Sequence, residues 1–227
     1  MKAYLEPEEV EHLEKAAACV RDRLLIRLLF HLGCRISEAL AVRVEDIDFV
    51  QGMVTILHLK SRLRLLCFNC QTRLGKSHVF CPKCGIEVHE PVARALESKR
   101  QRTLPLDPET LEMLRDFIHR DGTKGLIFRI NRHRAWQIIR DCAQRAGLGE
   151  LVNPETGRKR GISPHRLRDA FAVMAVQNDD STDGIRMLQE QFGHADIGTT
   201  MRYRKVACQE LKDWYRKLWT KKETDSG

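Results

Sequence analysis

Four of the chain's eight cysteines fall within a short span as two Cys-x-x-Cys pairs, Cys67–Cys70 and Cys81–Cys84, with ten residues between the pairs. Two residues between thiolates let both sulfurs turn onto one ion. Two such pairs supply the tetrahedral sulfur set of structural zinc. Gly85 permits the left-handed backbone that such a turn needs. The gap is shorter than the usual ribbon spacing, so the ribbon is small. Redox pairs or unrelated thiols are the competing reading. A closed four-sulfur site leaves no open position for water, so the expected single zinc ion is structural, not catalytic.

The cysteine block sits between two β-like segments, Met53–Leu59 and Arg102–Leu106, the second stopping at Pro105. That pattern predicts a β-hairpin whose loop has been expanded. Its own metal staple would keep so long a loop ordered. Elsewhere the spacing is helical. Helices are expected over 7–33, 36–44, 108–118, 134–146, 163–177 and 182–192, and from 197 to 219. A basic loop is expected over 153–161. Ser163 with Pro164 reads as a helix start, and Gly193 as a helix stop. The fold class expected is α+β, mainly helical, with a small antiparallel sheet. Residues 1–220 form one domain, 62–97 an inserted zinc ribbon within it, and 221–227 a polar tail.

The charge balance is +8 over 227 residues, with a pI near 9.2. It is what a polyanion-binding protein carries, nucleic acid above all, and also what a merely basic surface carries. An apolar share of 42% and a charged share of 31% exclude a disordered or membrane-embedded chain. The first residues lack an apolar signal core and no apolar run reaches membrane length, so a cytoplasmic location is expected. Disulfides are disfavoured there.

The densest run of chemistry is Ser163-Pro164-His165-Arg166-Leu167-Arg168. His165 and Arg168 share one face of a first helical turn, where free amides favour a phosphate. Three segments add to it. Gly33-Cys34-Arg35-Ile36-Ser37-Glu38-Ala39-Leu40 sets an arginine after a helix break. Glu97 to Leu106 carries Lys99 at the hairpin. Gly193-His194 is followed nine residues on by Tyr203.

In this order the segments resemble the tyrosine recombinases, the phage integrase family, over residues 5 to 206. That family's catalytic domain carries Gly-x-Arg-x-Ser-Glu-x-Leu, a hairpin lysine before a strand ending near Pro-Leu, His-x-Leu-Arg followed by Phe-Ala, Leu-Gly-His, and a tyrosine. The resemblance implies a site-specific DNA recombinase that cleaves and rejoins strands through a 3′-phosphotyrosine. It serves integration, excision or dimer resolution. Tyr203 would attack the phosphate, and Arg35 and Arg168 would hold its non-bridging oxygens. Lys99 would protonate the leaving 5′-oxygen, His165 would assist as acid and base, and His194 would hydrogen-bond the phosphate. Lys60, at the end of the first strand, is the other candidate acid. No catalytic metal or nucleotide is implied.

Bland readings stand beside these: Arg35 as a surface ion pair with Glu38, His194 as a helix cap, Tyr203 as packed core. The chain departs from the family pattern at Asp169, where His is common, and in the ribbon inside the hairpin, and the family's N-terminal core-binding domain is expected to be absent. The resemblance also implies double-stranded DNA as partner and assembly into dimers or tetramers on it. Leu211, Trp214, Tyr215, Leu218 and Trp219 would form the docking stripe of a C-terminal helix. Alternatives are a non-cleaving DNA-binding protein of the same fold, a type IB topoisomerase-like enzyme and a zinc-dependent nuclease.

Overall fold

The computed structural model describes residues 2–57, 62–75, 78–88, 92–96, 101–153, 156–194, 196–204 and 215–216. Its elements run α1 (Pro7–Lys15), α2 (Val20–His31), α3 (Ile36–Ala39), β1 (Ile47–Asp48), β2 (Met53–Leu57), β3 (Arg62–Leu66), β4 (Arg73–Leu74), β5 (Val92–Leu96), β6 (Gln101–Pro105), α4 (Pro108–Asp121), α5 (Arg132–Arg145), β7 (Leu151–Val152), β8 (Lys159–Arg160), α6 (Pro164–Asn178), α7 (Thr182–Phe192) and α8 (Ile197–Arg204). The chain divides into two compact units, Met1–Ile56 with Arg102–Gly227, and Leu57–Gln101. Among the described residues no helix is long and apolar enough to cross a membrane.

The larger unit is built around α2, whose Leu24, Leu25, Ile26, Leu28, Leu29 and Phe30 are all buried. A helix buried over seven consecutive residues, 24–30, has to be enclosed by its neighbours. α1 and α2 together replace the single helix expected over 7–33. The chain leaves the helix at Ala16 and is extended at Cys19. The break lets Val10 and Leu13 turn back into the same core, which one straight rod would not allow. The helix expected over 36–44 stops at Ala39. Val42 instead accepts a backbone bond from Ile127, and Val44 donates one to Gly125. Strand-like pairing with a distant segment outcompetes helix propagation through two β-branched residues. The expected loop at 153–161 is closed by the short β7–β8 pairing, Leu151 opposite Arg160. The β1-β2-β6 sheet supplies the small antiparallel layer.

A buried ionic knot ties three helices together. Arg27 of α2 donates from Nη1 to Glu14 of α1 at 3.1 Å, from Nε to Thr110 of α4 at 2.9 Å, and from Nη2 to Asp107 at 3.0 Å. Asp107 also caps α4 by accepting from the Thr110 amide at 2.9 Å. Burial raises the Glu14 carboxyl, and Arg27 works against that rise. The side chains of Arg27 and Glu14 are 7% and 5% exposed, so neither has water to fall back on.

The smaller unit is a three-stranded sheet of order β4-β3-β5, with Leu65 opposite Leu74 and Ala93. Cys67, Leu74 and Cys81 are its buried centre.

Replacing Arg27 by Met takes from buried Glu14 its nearest cation, leaving Arg23 at 3.8 Å. The variant is expected to lose about 3–5 kcal/mol of stability, read from urea unfolding, whereas an unchanged midpoint would show the knot to be dispensable.

Candidate active site

Arg168 sits one turn into α6, on the face that enters the core, and is only 3% exposed. Its Nη1 donates to the Gly33 carbonyl, and its Nη2 donates to the Phe192 carbonyl at 3.0 Å and reaches Nε2 of His194 at 3.2 Å. Its guanidinium lies 3.8 Å from the centre of the Phe192 ring. One buried side chain thereby joins the end of α2, the end of α7 and the start of α6. Three of its five N–H groups are used on described residues of the protein. Desolvation lowers its pKa to about 10, with repulsion from Arg35 adding to the effect. It stays charged at neutral pH.

Gly33 is required here for two reasons. Its φ of +56° is left-handed, and a Cβ on it would fall 2.4 Å from Phe192 and 2.7 Å from Phe171. That tight turn delivers Arg35 two residues later. Arg35 is not the surface ion pair of the bland reading. Its partner Glu38 is buried, the side chain 1% exposed, and takes Arg35 Nη1 at 2.9 Å and the Arg35 amide at 2.9 Å.

Glu38 also takes Arg102 Nη2 of β6 at 2.6 Å. Burial would raise the Glu38 carboxyl, but the Arg102 bond and charge, with Arg35, outweigh it and bring the pKa to about 2. Nε and Nη1 of Arg102 are buried and have no hydrogen-bond partner among the described residues. Arg35, Arg102 and Arg168 all act on the His194 ring. Burial and these three cations lower its pKa to about 4, so it is neutral. With Arg168 donating toward Nε2, the proton belongs on Nδ1, which faces the Thr200 hydroxyl at 2.9 Å.

Tyr203 is half-buried on α8, its ring edge-on to Phe192 at 5.9 Å. Its hydroxyl donates to Asp169 Oδ1 at 3.0 Å. Burial first, then the Asp169 charge and bond, raise the phenol well above its ordinary value, and Arg168 opposes them. His165 is 70% exposed and stands at the rim, its Nε2 3.9 Å from the same Asp169 oxygen.

Arg168, His194 and Tyr203 are thus gathered around Phe192, with the charge of Arg35 acting on Arg168 and His194 and with His165 at the edge. Lys99 and Lys60 lie outside the described residues, as do Leu211, Trp214, Leu218 and Trp219 of the expected docking stripe. Tyr215 is exposed. The sequence reading gave no site role to Arg102, Phe192 or Thr200, and treated Glu38 and Asp169 only as a neighbour and a departure. Arg102 is one basic residue in a basic stretch, and its burial is invisible from the sequence. Phe192, just before Gly193, carries the signal of an apolar residue at a helix end.

In the smaller unit, Sγ atoms of Cys67, Cys70, Cys81 and Cys84 all lie within 4.8 Å of one another. The Cys67–Cys84 and Cys70–Cys81 separations are 3.6 and 3.5 Å. Four sulfurs about 2.3 Å from a zinc ion sit about 3.8 Å apart, so the set is at metal-binding distance. The two knuckles have equivalent backbones. Gln71 and Gly85 each follow the first cysteine by four residues, each has positive φ, and each amide donates to that cysteine's carbonyl at 2.9 Å.

The larger unit defines a class: a helical frame in which guanidinium groups, a neutral imidazole and a phenol converge on one spot. The chain belongs to the phage integrase family, whose model matches residues 3–210. It is 29% identical over 198 residues to tyrosine recombinase XerD of Mycobacterium leprae (strain TN), covering 86% of this chain and 51% of that protein. The chain spans about half the length of the curated relatives it matches. The fold is that of XerH recombinase bound to its palindromic difH substrate in a post-cleavage complex, with TM-score 0.62 and 20% identity over 94% of this chain and 52% of that one. It is equally that of the catalytic domain of bacteriophage HP1 integrase, with TM-score 0.56 and 20% identity over 95% of each chain.

Glu38 carries a pH signature. Its carboxyl in the fold lies below the ordinary 4.5, so the ionised form contributes stability that is complete above that value and lost as the pH falls toward 2. Urea titrations of the native chain and Glu38→Gln are expected to differ by about 3 kcal/mol more at neutral pH than at pH 2. A gap that does not change with pH would contradict the assignment.

Proposed function

We propose that this chain is the catalytic domain of a site-specific DNA recombinase, one that cleaves and rejoins strands through a covalent 3′-phosphotyrosine without ATP. The observation that carries the reading is the convergence of Tyr203, Arg168 and His194 on the Phe192 ring, with the Arg35 charge acting on the same group. Phosphoryl transfer depends chiefly on positioning and on stabilising charge. Two guanidiniums offer fork-shaped donors that stay charged, which suits the non-bridging oxygens of a phosphodiester. Tyr203 is the nucleophile. A phosphotyrosine conserves the energy of the broken strand, so resealing needs no nucleotide.

His194 is poised for a switch of tautomer. The Thr200 hydroxyl both donates and accepts, so an arriving anion finds Nε2–H when the ring proton moves. His165, at the rim, assists as acid and base. Lys99 is the acid for the leaving 5′-oxygen, with Lys60 the alternative. Double-stranded DNA is the partner, in keeping with the +8 charge. The protein assembles on it as a dimer or tetramer in the cytoplasm, and the exposed Tyr215 fits a docking role for the C-terminal helix.

Residues 62–97 form a zinc ribbon inserted in the catalytic domain. Cys67, Cys70, Cys81 and Cys84 would hold one Zn²⁺, which supplies a structural crosslink when bound. The larger unit's site includes none of these cysteines, so metal binding and strand cleavage are separate properties.

The decisive assay offers nicked duplexes of randomised sequence and looks for protein–DNA adduct on denaturing gels. The native chain is expected to form adduct that survives chelator, and Tyr203→Phe to form none while binding DNA as before. Adduct retained by Tyr203→Phe, or none from the native chain on duplexes it binds, would overturn the reading. Native mass spectrometry is expected to show one zinc per chain, lost in Cys81→Ser; an apo mass in the native chain would contradict the ribbon.

A further inference from the structure

Asp169 is the residue whose contacts outrun its place in the sequence pattern. It follows Arg168 on α6, its side chain is 8% exposed, and it spends its two oxygens on different tasks. Oδ2 is fixed by Arg166 Nη1 at 2.8 Å. Oδ1 accepts the hydroxyl of Tyr203 at 3.0 Å and lies 3.9 Å from Nε2 of His165. The anchored oxygen keeps the carboxylate from rotating away, so the other stays on the phenol. Tyr203 is thereby brought against both Asp169 and the Phe192 wall.

We propose that Asp169 is a catalytic residue, the proton acceptor for Tyr203; this rests on the recombinase reading above. In the step, the Tyr203 Oη–P bond forms as the P–O5′ bond breaks. The phenolic proton passes to Oδ1 of Asp169, and the leaving 5′-oxygen takes a proton from the general acid or from water. A carboxylate is a weak base toward a free phenol, and at rest it keeps Tyr203 neutral. As the Oη–P bond forms, the phenolic proton becomes strongly acidic, and a weak base already in contact then suffices. His165, beyond Oδ1 and open to solvent, can return the proton to water. Among the described residues, the charged and titratable groups acting on the pair include Arg166, His165 and Arg168 on α6 and Tyr4 near the start of the chain, with Arg35, Arg102 and Glu38 acting in turn on Arg168.

Two measurements test this, one without DNA. In protein with 13Cζ-labelled tyrosine, the Tyr203 resonance is assigned by its loss in Tyr203→Phe. In Asp169→Asn it is expected to titrate at a pH lower by at least about one unit than in the native chain, since a facing negative charge is gone. An unchanged titration overturns the contact itself, whatever the protein does to DNA.

The second measurement uses the nicked duplex pool that gives most adduct with the native chain. Asp169→Asn is expected to form adduct about 100-fold more slowly. Its rate should rise steeply with pH as free phenolate replaces base catalysis, while Asp169→Glu keeps a shallow profile. Native rate and native pH profile in Asp169→Asn overturn the proposal while leaving the recombinase reading intact. Should the native chain yield no adduct, that reading fails, and the proton-acceptor role falls with it.

Discussion

A buried guanidinium stacked on a phenylalanine ring is the interaction on which the rest of the site depends. Arg168 has almost no access to water, and its charge is tolerated because the Gly33 and Phe192 carbonyls and the face of the Phe192 ring replace the solvent. Those partners come from the end of α2 and the end of α7, so the cation cannot be satisfied unless three distant segments meet. The same ring sets the edges of His194 and Tyr203. Gly33 completes the constraint, because any side chain there would push Phe192 out of the contact.

Around this centre the electrostatics are deliberately unbalanced. Three arginines act on His194, and one deeply buried carboxylate, Glu38, holds two of them by direct bonds. Arg102 keeps two buried donors with no partner among the described residues. A site assembled this way carries excess positive charge in a space poor in water, where an anion is strongly favoured. The phenol meets the opposite field from Asp169, which accepts its hydroxyl and holds the proton on it.

The sequence made part of this legible. Glycine before Arg35, proline at the start of α6 and glycine after α7 mark the element ends that carry the candidate site's side chains, and short-range backbone rules fix them. The cysteine spacing likewise announced two equivalent knuckles, although Gln71 takes the left-handed position in one of them without glycine. What escaped is tertiary. Nothing local distinguishes Arg102 from its basic neighbours; its meaning comes from a carboxylate 64 positions away. Asp169 looked like a simple departure from a family pattern, and its contact with Tyr203 spans 34 positions. The break between α1 and α2 and the early end of α3 were missed for the same reason, since packing and distant backbone pairing overrode helical periodicity.

The central claim is that the phenol of Tyr203 reacts where these arginines converge. It is tested most directly by trimming the protein–DNA adduct with nuclease and sequencing the modified peptide by tandem mass spectrometry. The account predicts a nucleotide joined through its 3′-phosphate to Tyr203. A nucleotide found on Tyr215, Tyr4 or any serine, or joined through a 5′-phosphate, would contradict it.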